Sequence, residues 1–174
     1  MPAILIIDDN ASVGTALDVL FSLHDIDTLQ AQSPAEGLAL LESQAVDLVI
    51  QDMNFSEDTT SGEEGEALFA QIRARHPDLP VILLTAWTHL SSAVDLVKAG
   101  AADYLAKPWD DRKLMTTVNN LLELSEARRE LDRRRSRELH QRNALEEKYD
   151  LCGAVFADPA SERVIALACQ VARS

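Results

Sequence analysis

Five times in the first 123 residues a short apolar run gives way to a helical pattern, and four of the five runs end in chemically distinctive polar residues. Pro2-Ala3-Ile4-Leu5-Ile6-Ile7 ends in Asp8-Asp9, and Val46-Asp47-Leu48-Val49-Ile50-Gln51 ends at Asp52. Val81-Ile82-Leu83-Leu84 ends at Thr85-Ala86, and Asp103-Tyr104-Leu105-Ala106 at Lys107-Pro108. Asp27-Thr28-Leu29-Gln30-Ala31 is a weaker fifth run. Short, nearly continuous apolar runs are the pattern of strands buried on both faces. Helical spacing covers about 11–23, 34–43, 63–75, 91–99 and 110–123. Ser33-Pro34-Ala35-Glu36 carries an N-cap, a first-turn proline and a capping-box glutamate, and Ser61 with Glu64 repeats the box. Gly100 is a helix stop after Lys98. The alternation predicts an α/β fold: a doubly wound five-stranded parallel sheet, right-handed crossovers and helices on both faces.

The length of 174 residues suits one domain of about 120 residues with an appendage. No window of 18 apolar residues exists to span a membrane. The opening Met1-Pro2-Ala3-Ile4 has no basic n-region and no cleavage site, so the reading is a cytoplasmic chain without a secretory signal. Cys152 and Cys169 then read as reduced thiols, and no Cys/His cluster has zinc spacing. Residues 1–124 hold 20 acids against 6 bases within an overall net charge of −13, which should repel nucleic acid. His24, His76, His89 and His140 are scattered and read as surface or packing residues, with His89 nearest the expected site.

Ligands of parallel sheets bind beyond the carboxyl ends of the strands. Here that edge gathers Asp8, Asp9, Asp52, Thr85 and Lys107. Carboxylates this close repel unless a cation neutralises them. Oxygen donors suit a hard divalent ion, with Mg²⁺ the abundant candidate. Asp52, on the middle strand of the series, is the natural nucleophile for a phosphoryl group. Thr85 and Lys107 are placed to meet phosphate oxygens, and such transfer needs mainly positioning and charge neutralisation.

Residues 1–123 resemble the receiver domain of bacterial two-component response regulators. The resemblance rests on Asp8-Asp9, Asp52, Thr85-Ala86 and Lys107-Pro108, in order and on strand ends. It implies a flavodoxin-like sheet, a phosphoacceptor at Asp52, and a sensor histidine kinase as phosphodonor. It also implies a Mg²⁺ ion held by Asp9 and Asp52, by Asp8 through water, and by the backbone carbonyl of Asn54. Thr85, Ala86 and Lys107 would bind the phosphate, with Thr85 and Tyr104 as the switch pair and a cis peptide before Pro108. The sequence departs from the family at Ser56, where proline is usual. The glycine match slips to Gly65, making the loop 54–64 about five residues longer and adding Glu57, Asp58, Glu63 and Glu64. This loop either gates the pocket or contacts the kinase, or it is a solvated insertion. Trp109 stands where phenylalanine is usual and reads as a core aromatic beneath the sheet edge.

No proline or glycine interrupts residues 110–149, so the last helix is expected to run on as a linker over 124–148. One heptad position reads Leu124, Leu131, Glu138, Leu145 and its companion Leu121, Arg128, Arg135, Arg142. That is a weak seam beyond Leu124, so a homodimer is expected to be held mainly at Leu121 and Leu124. Arg133-Arg134-Arg135-Ser136-Arg137 is interleaved with acids and reads as a solvated signalling helix rather than a nucleic-acid contact. Residues 149–174, with Gly153, Pro159 and Val164, Ile165, Ala168, Val171, resemble the start of the AAA+ domain of sigma-54-dependent activators of the NtrC type. No G-x-x-x-x-G-K-[ST] follows, so the chain reads as a regulatory fragment of such an activator. The other class weighed is a haloacid-dehalogenase-like phosphatase with an aspartyl nucleophile. That class wants Asp-x-Asp, whereas Asp8-Asp9 are adjacent and Asp52-Met53-Asn54 lacks the second carboxylate.

Overall fold

The computed structural model describes residues 2–55, 62–86 and 95–148, together with 161, 164, 167, 168 and 171, with backbone only at 86, 138 and 141–148. Outside these lie Ser56 and the centre of the acidic loop, His89, both cysteines and most of 149–174. In chain order the elements are β1 (Ala3–Ile7), α1 (Ala11–Ser22), β2 (Asp27–Ala31), α2 (Pro34–Ser43), β3 (Leu48–Asp52), α3 (Glu63–Arg75), β4 (Val81–Ala86), β5 (Asp103–Lys107) and α4 (Asp111–Lys148). Residues 95–98 are also helical, ahead of Gly100 at φ 104°.

The five strands pair in parallel in the order β2-β1-β3-β4-β5. Side chains alternate between two apolar layers, as strand geometry requires. Ile4, Ile6, Leu48, Ile50, Ile82 and Leu84 meet Leu17 and Phe21 of α1 and Leu114 and Val118 of α4. Leu5, Ile7, Val49 and Leu83 meet Leu41 of α2 and Leu68, Phe69 and Ile72 of α3. The strand order reverses between β1 and β3. Loops leave that point in opposite directions and open a crevice at the carboxyl ends.

Local chemistry sets the helix starts. Asn10 caps α1 by accepting from the Ser12 N–H. Ser33 caps α2 through the Glu36 N–H, and Glu36 reaches back to the Gln32 N–H, one residue further than the usual box. Ser61 of the expected box lies outside the described residues, and α3 starts at Glu63, as the helical spacing over 63–75 predicts. Its cap is Gly62, at φ 70°, with no side-chain bond. Glu63, Glu64 and Glu66 in the first turn supply favourable charge against the helix dipole instead.

The chain divides into two compact units, Met1–Glu126 and Ala127–Ser174. Leu121 is half-buried against the core of the first unit, whereas Leu124 is exposed. Leu121 is thus already used within the domain, an outcome that heptad spacing alone does not distinguish from a seam. Leu131 and Leu139 are exposed in the second unit, where Glu130 pairs with Arg134. Among the described residues no helix is long and apolar enough to cross a membrane.

Candidate functional site

Each polar residue at the sheet edge is carried there by its strand. Asp8 follows β1, Asp52 ends β3, Thr85 lies at the end of β4, and Lys107 ends β5. Carboxylate oxygens of Asp8, Asp9 and Asp52 lie within 4.8 Å of one another. Asp8 and Asp52 are buried and Asp9 is exposed. Lys107 Nζ donates to Asp8 Oδ2 at 2.7 Å and contacts Asp52 Oδ1 at 3.1 Å. The other oxygen of Asp8 accepts from the Asn10 N–H at 2.9 Å, which ties the pocket to the start of α1. Thr85 is buried, 6% exposed. The Lys107–Pro108 peptide is cis.

Burial raises the pKa of Asp52; the Lys107 charge opposes this, and the Asp8 charge adds to it. For Lys107, burial favours the neutral amine, but bonds and charges from Asp8 and Asp52 outweigh it and hold the ammonium above its ordinary value. The Asp52 shift has a signed consequence. The folded state binds this proton more tightly than the unfolded chain. Asp52 therefore lowers stability as pH rises from its ordinary value of 3.8 through its raised folded value. In the absence of metal, melting curves of wild type minus Asp52→Asn should show the wild type losing ground across that window. A flat difference would remove burial as the cause.

With all groups ionised, the carboxylates and Lys107 leave a net charge of −2, which one divalent cation would balance. The donors are hard oxygens, and they suit Mg²⁺ better than a soft metal. Among the described residues these acids form the one metal-competent group, and no histidine joins it. Asn54 lies beside Asp52; its Oδ1 is buried without a hydrogen-bond partner among the described residues. Tyr104 is half-buried against the α2/α3 layer. Trp109 packs, half-buried, on the opposite layer and its Nε1–H donates to Asp111 at 3.0 Å. Ala86 ends β4.

Gln51 was not singled out from the sequence. It is fully buried and donates through Nε2 to the Gly65 carbonyl at 2.7 Å. The available signal was an amide within an otherwise apolar run.

The model of the response regulator receiver domain matches residues 4–119. Response regulator protein FleR of Pseudomonas aeruginosa is 33% identical over 171 residues, 98% of this chain and 31% of that protein. Transcriptional regulatory protein ZraR of Escherichia coli (strain K12) is 34% identical over 119 residues, 68% of this chain and 26% of that protein. The chain thus spans about a quarter to a third of these relatives. Among solved structures, a receiver domain protein from Clostridium thermocellum superposes with TM-score 0.66 at 28% identity, over 73% of this chain and 98% of that one. NtrX from Brucella abortus, in complex with ATP, gives 0.66 at 27% identity, over 75% and 29%.

Proposed function

Because this chain belongs to the response regulator receiver family, we propose that Asp52 accepts a phosphoryl group from a sensor histidine kinase and that the change is passed to a transcription activator. The observation that carries the reading is the contact of Lys107 with both Asp8 and Asp52 inside the acidic pocket.

Asp52, Asp8, Asp9 and the backbone carbonyl of Asn54 would hold Mg²⁺, which supplies charge neutralisation at the transferring phosphoryl group. A carboxylate oxygen of Asp52 attacks phosphorus in line. The phosphorus–nitrogen bond of the phosphohistidine breaks, its electron pair stays on the imidazole, and that nitrogen then takes a proton from water. Lys107 is already within ion-pair reach of Asp52 and meets one phosphate oxygen as negative charge accumulates. The Thr85 hydroxyl donates to another. Asp52 lies in a register pair with Leu84, one residue before Thr85, so the reach required is short.

Phosphorylation adds roughly −1.5 to −2 charges and three acceptor oxygens. Thr85 moving to them leaves space for Tyr104 to turn inward. Reversing a 1:99 equilibrium requires about 5.5 kcal/mol of differential stabilisation. Thr85→Ala should therefore accept phosphate yet lose most of the phosphorylation-dependent change in shape, measured by small-angle scattering. A full change in that variant would exclude this route.

The similarity to FleR runs over 171 residues, well beyond the matched receiver. That extent supports reading 124–148 as a linker helix and 149–174 as the start of an AAA+ domain in a cytoplasmic, sigma-54-dependent activator of the NtrC type. Homodimerisation through the exposed helix face at Leu124 and Leu131 belongs to the same reading. Incubation with Mg²⁺ and acetyl phosphate tests the core claim. One phosphoryl group incorporated per chain is expected; sustained turnover of a phosphomonoester would instead favour a phosphatase.

A further inference from the structure

We propose that Gln51 is a positioning residue for this pocket: its side-chain amide latches the first turn of α3 onto β3 and thereby sets the backbone at Met53 and Asn54. The inference rests on the reading of that backbone as part of the Mg²⁺ site.

Gln51 sits in the middle of the sheet, in register with Ile7 on one side and Leu83 on the other. Gly65 offers only a carbonyl toward it, so the donor is Nε2 and the orientation of the amide is determined. Its Oε1 is buried with no partner among the described residues. The same α3 residue presses on the strand's exit. A Cβ at Gly65 would lie 2.5 Å from Met53 Cα and 2.6 Å from its carbonyl oxygen. Two contacts therefore close the base of the connection from Asp52 to α3: the Gln51–Gly65 hydrogen bond and the Gly65–Met53 packing. Between them lies Asp52, and Asn54 follows directly after the Met53 contact.

An amide with an unmatched oxygen is a poor filler for an apolar layer. A side chain of similar shape without polar atoms would carry no unmatched atom of its own. What the amide supplies, and leucine or methionine cannot, is a directional bond to the helix start. The need is physical: α3 has no side-chain cap at Gly62, and a long connection leaves the strand before it. Outer partners that orient metal ligands typically change metal affinity 10–100-fold when removed.

The test uses Gln51→Met and Gln51→Leu in the full chain, which keep an unbranched shape or similar bulk and remove the donor. Three quantities are measured: the metal-free melting temperature, metal-free amide exchange over residues 64–68, and the Mg²⁺ dissociation constant by titration calorimetry. The apolar variants should melt at or above the wild-type temperature. They should exchange faster in the first turn of α3 and bind Mg²⁺ on the order of tenfold more weakly. Labelling by acetyl phosphate should return to the wild-type rate once Mg²⁺ is saturating, because the nucleophile is untouched. Wild-type exchange and wild-type Mg²⁺ affinity in the folded variants would overturn the proposal. If instead the wild type binds no Mg²⁺, the pocket's assignment fails, and this inference with it.

Discussion

Asp52→Asn is expected to reduce phosphoryl incorporation to background, read by intact-mass spectrometry after incubation with Mg²⁺ and acetyl phosphate. The substitution is nearly isosteric, and Lys107 keeps its 2.7 Å bond to Asp8, so the pocket retains its frame. What disappears is the nucleophile: the asparagine oxygen carries no charge and does not attack phosphorus. Chelating Mg²⁺ from the wild type should have the same effect, because the acidic cluster would repel an anionic donor. Folding should not suffer. Burial holds the Asp52 carboxylate against its charged form, so the variant should melt at or above the wild-type temperature at neutral pH. Normal labelling of Asp52→Asn would end the assignment.

The second large effect concerns assembly. Glutamate at both Leu124 and Leu131 is expected to convert the proposed dimer to monomers in sedimentation experiments, with labelling at Asp52 unchanged. Both side chains are more than half exposed in the single chain, at 57% and 55%. Fully burying a leucine contributes about 1.5–3 kcal/mol. Two lost per chain amount to several orders of magnitude in a dimer constant, at 1.4 kcal/mol per factor of ten. Exposed ion pairs, at about 0–1 kcal/mol each, would not replace them. Leu121→Glu should behave differently. It places a charge against the apolar layer of its own domain and should lower the melting temperature. Should the Leu124/Leu131 variant stay dimeric, the contact lies elsewhere, and residues 149–174 are the next place to look.

Most of the architecture was legible because parallel strands covered on both faces need apolar residues at nearly every position, as in Ile4–Ile7 and Val81–Leu84. β2 was fainter for a reason visible in its contacts. It is an edge strand, and Thr28 faces Asp18 of α1 through a hydrogen bond rather than apolar packing. The sheet-edge residues were legible as types at strand ends, and strand order then brought Asp8, Asp52 and Lys107 into contact. Three things were not legible. The cap of α3 is Gly62 in a left-handed conformation, which a serine three residues before a glutamate does not announce. Leu121 and Leu124 occupy companion positions of one heptad seam, but only Leu121 faces the core. The role of Gln51 required knowing that Gly65, 14 residues away, returns to the same strand.

The ion pair between Lys107 and Asp8 joins residues 99 positions apart. Closing such a span is the slow, entropically expensive part of assembling a parallel sheet. The first and last strands must both be seated before the ammonium finds its carboxylates. A nascent or partly unfolded chain therefore presents scattered acids rather than a phosphorylation site. On the proposed phosphotransfer, competence to take a phosphoryl group would act as a proofreading step: a donor could write its signal only on molecules that have finished folding.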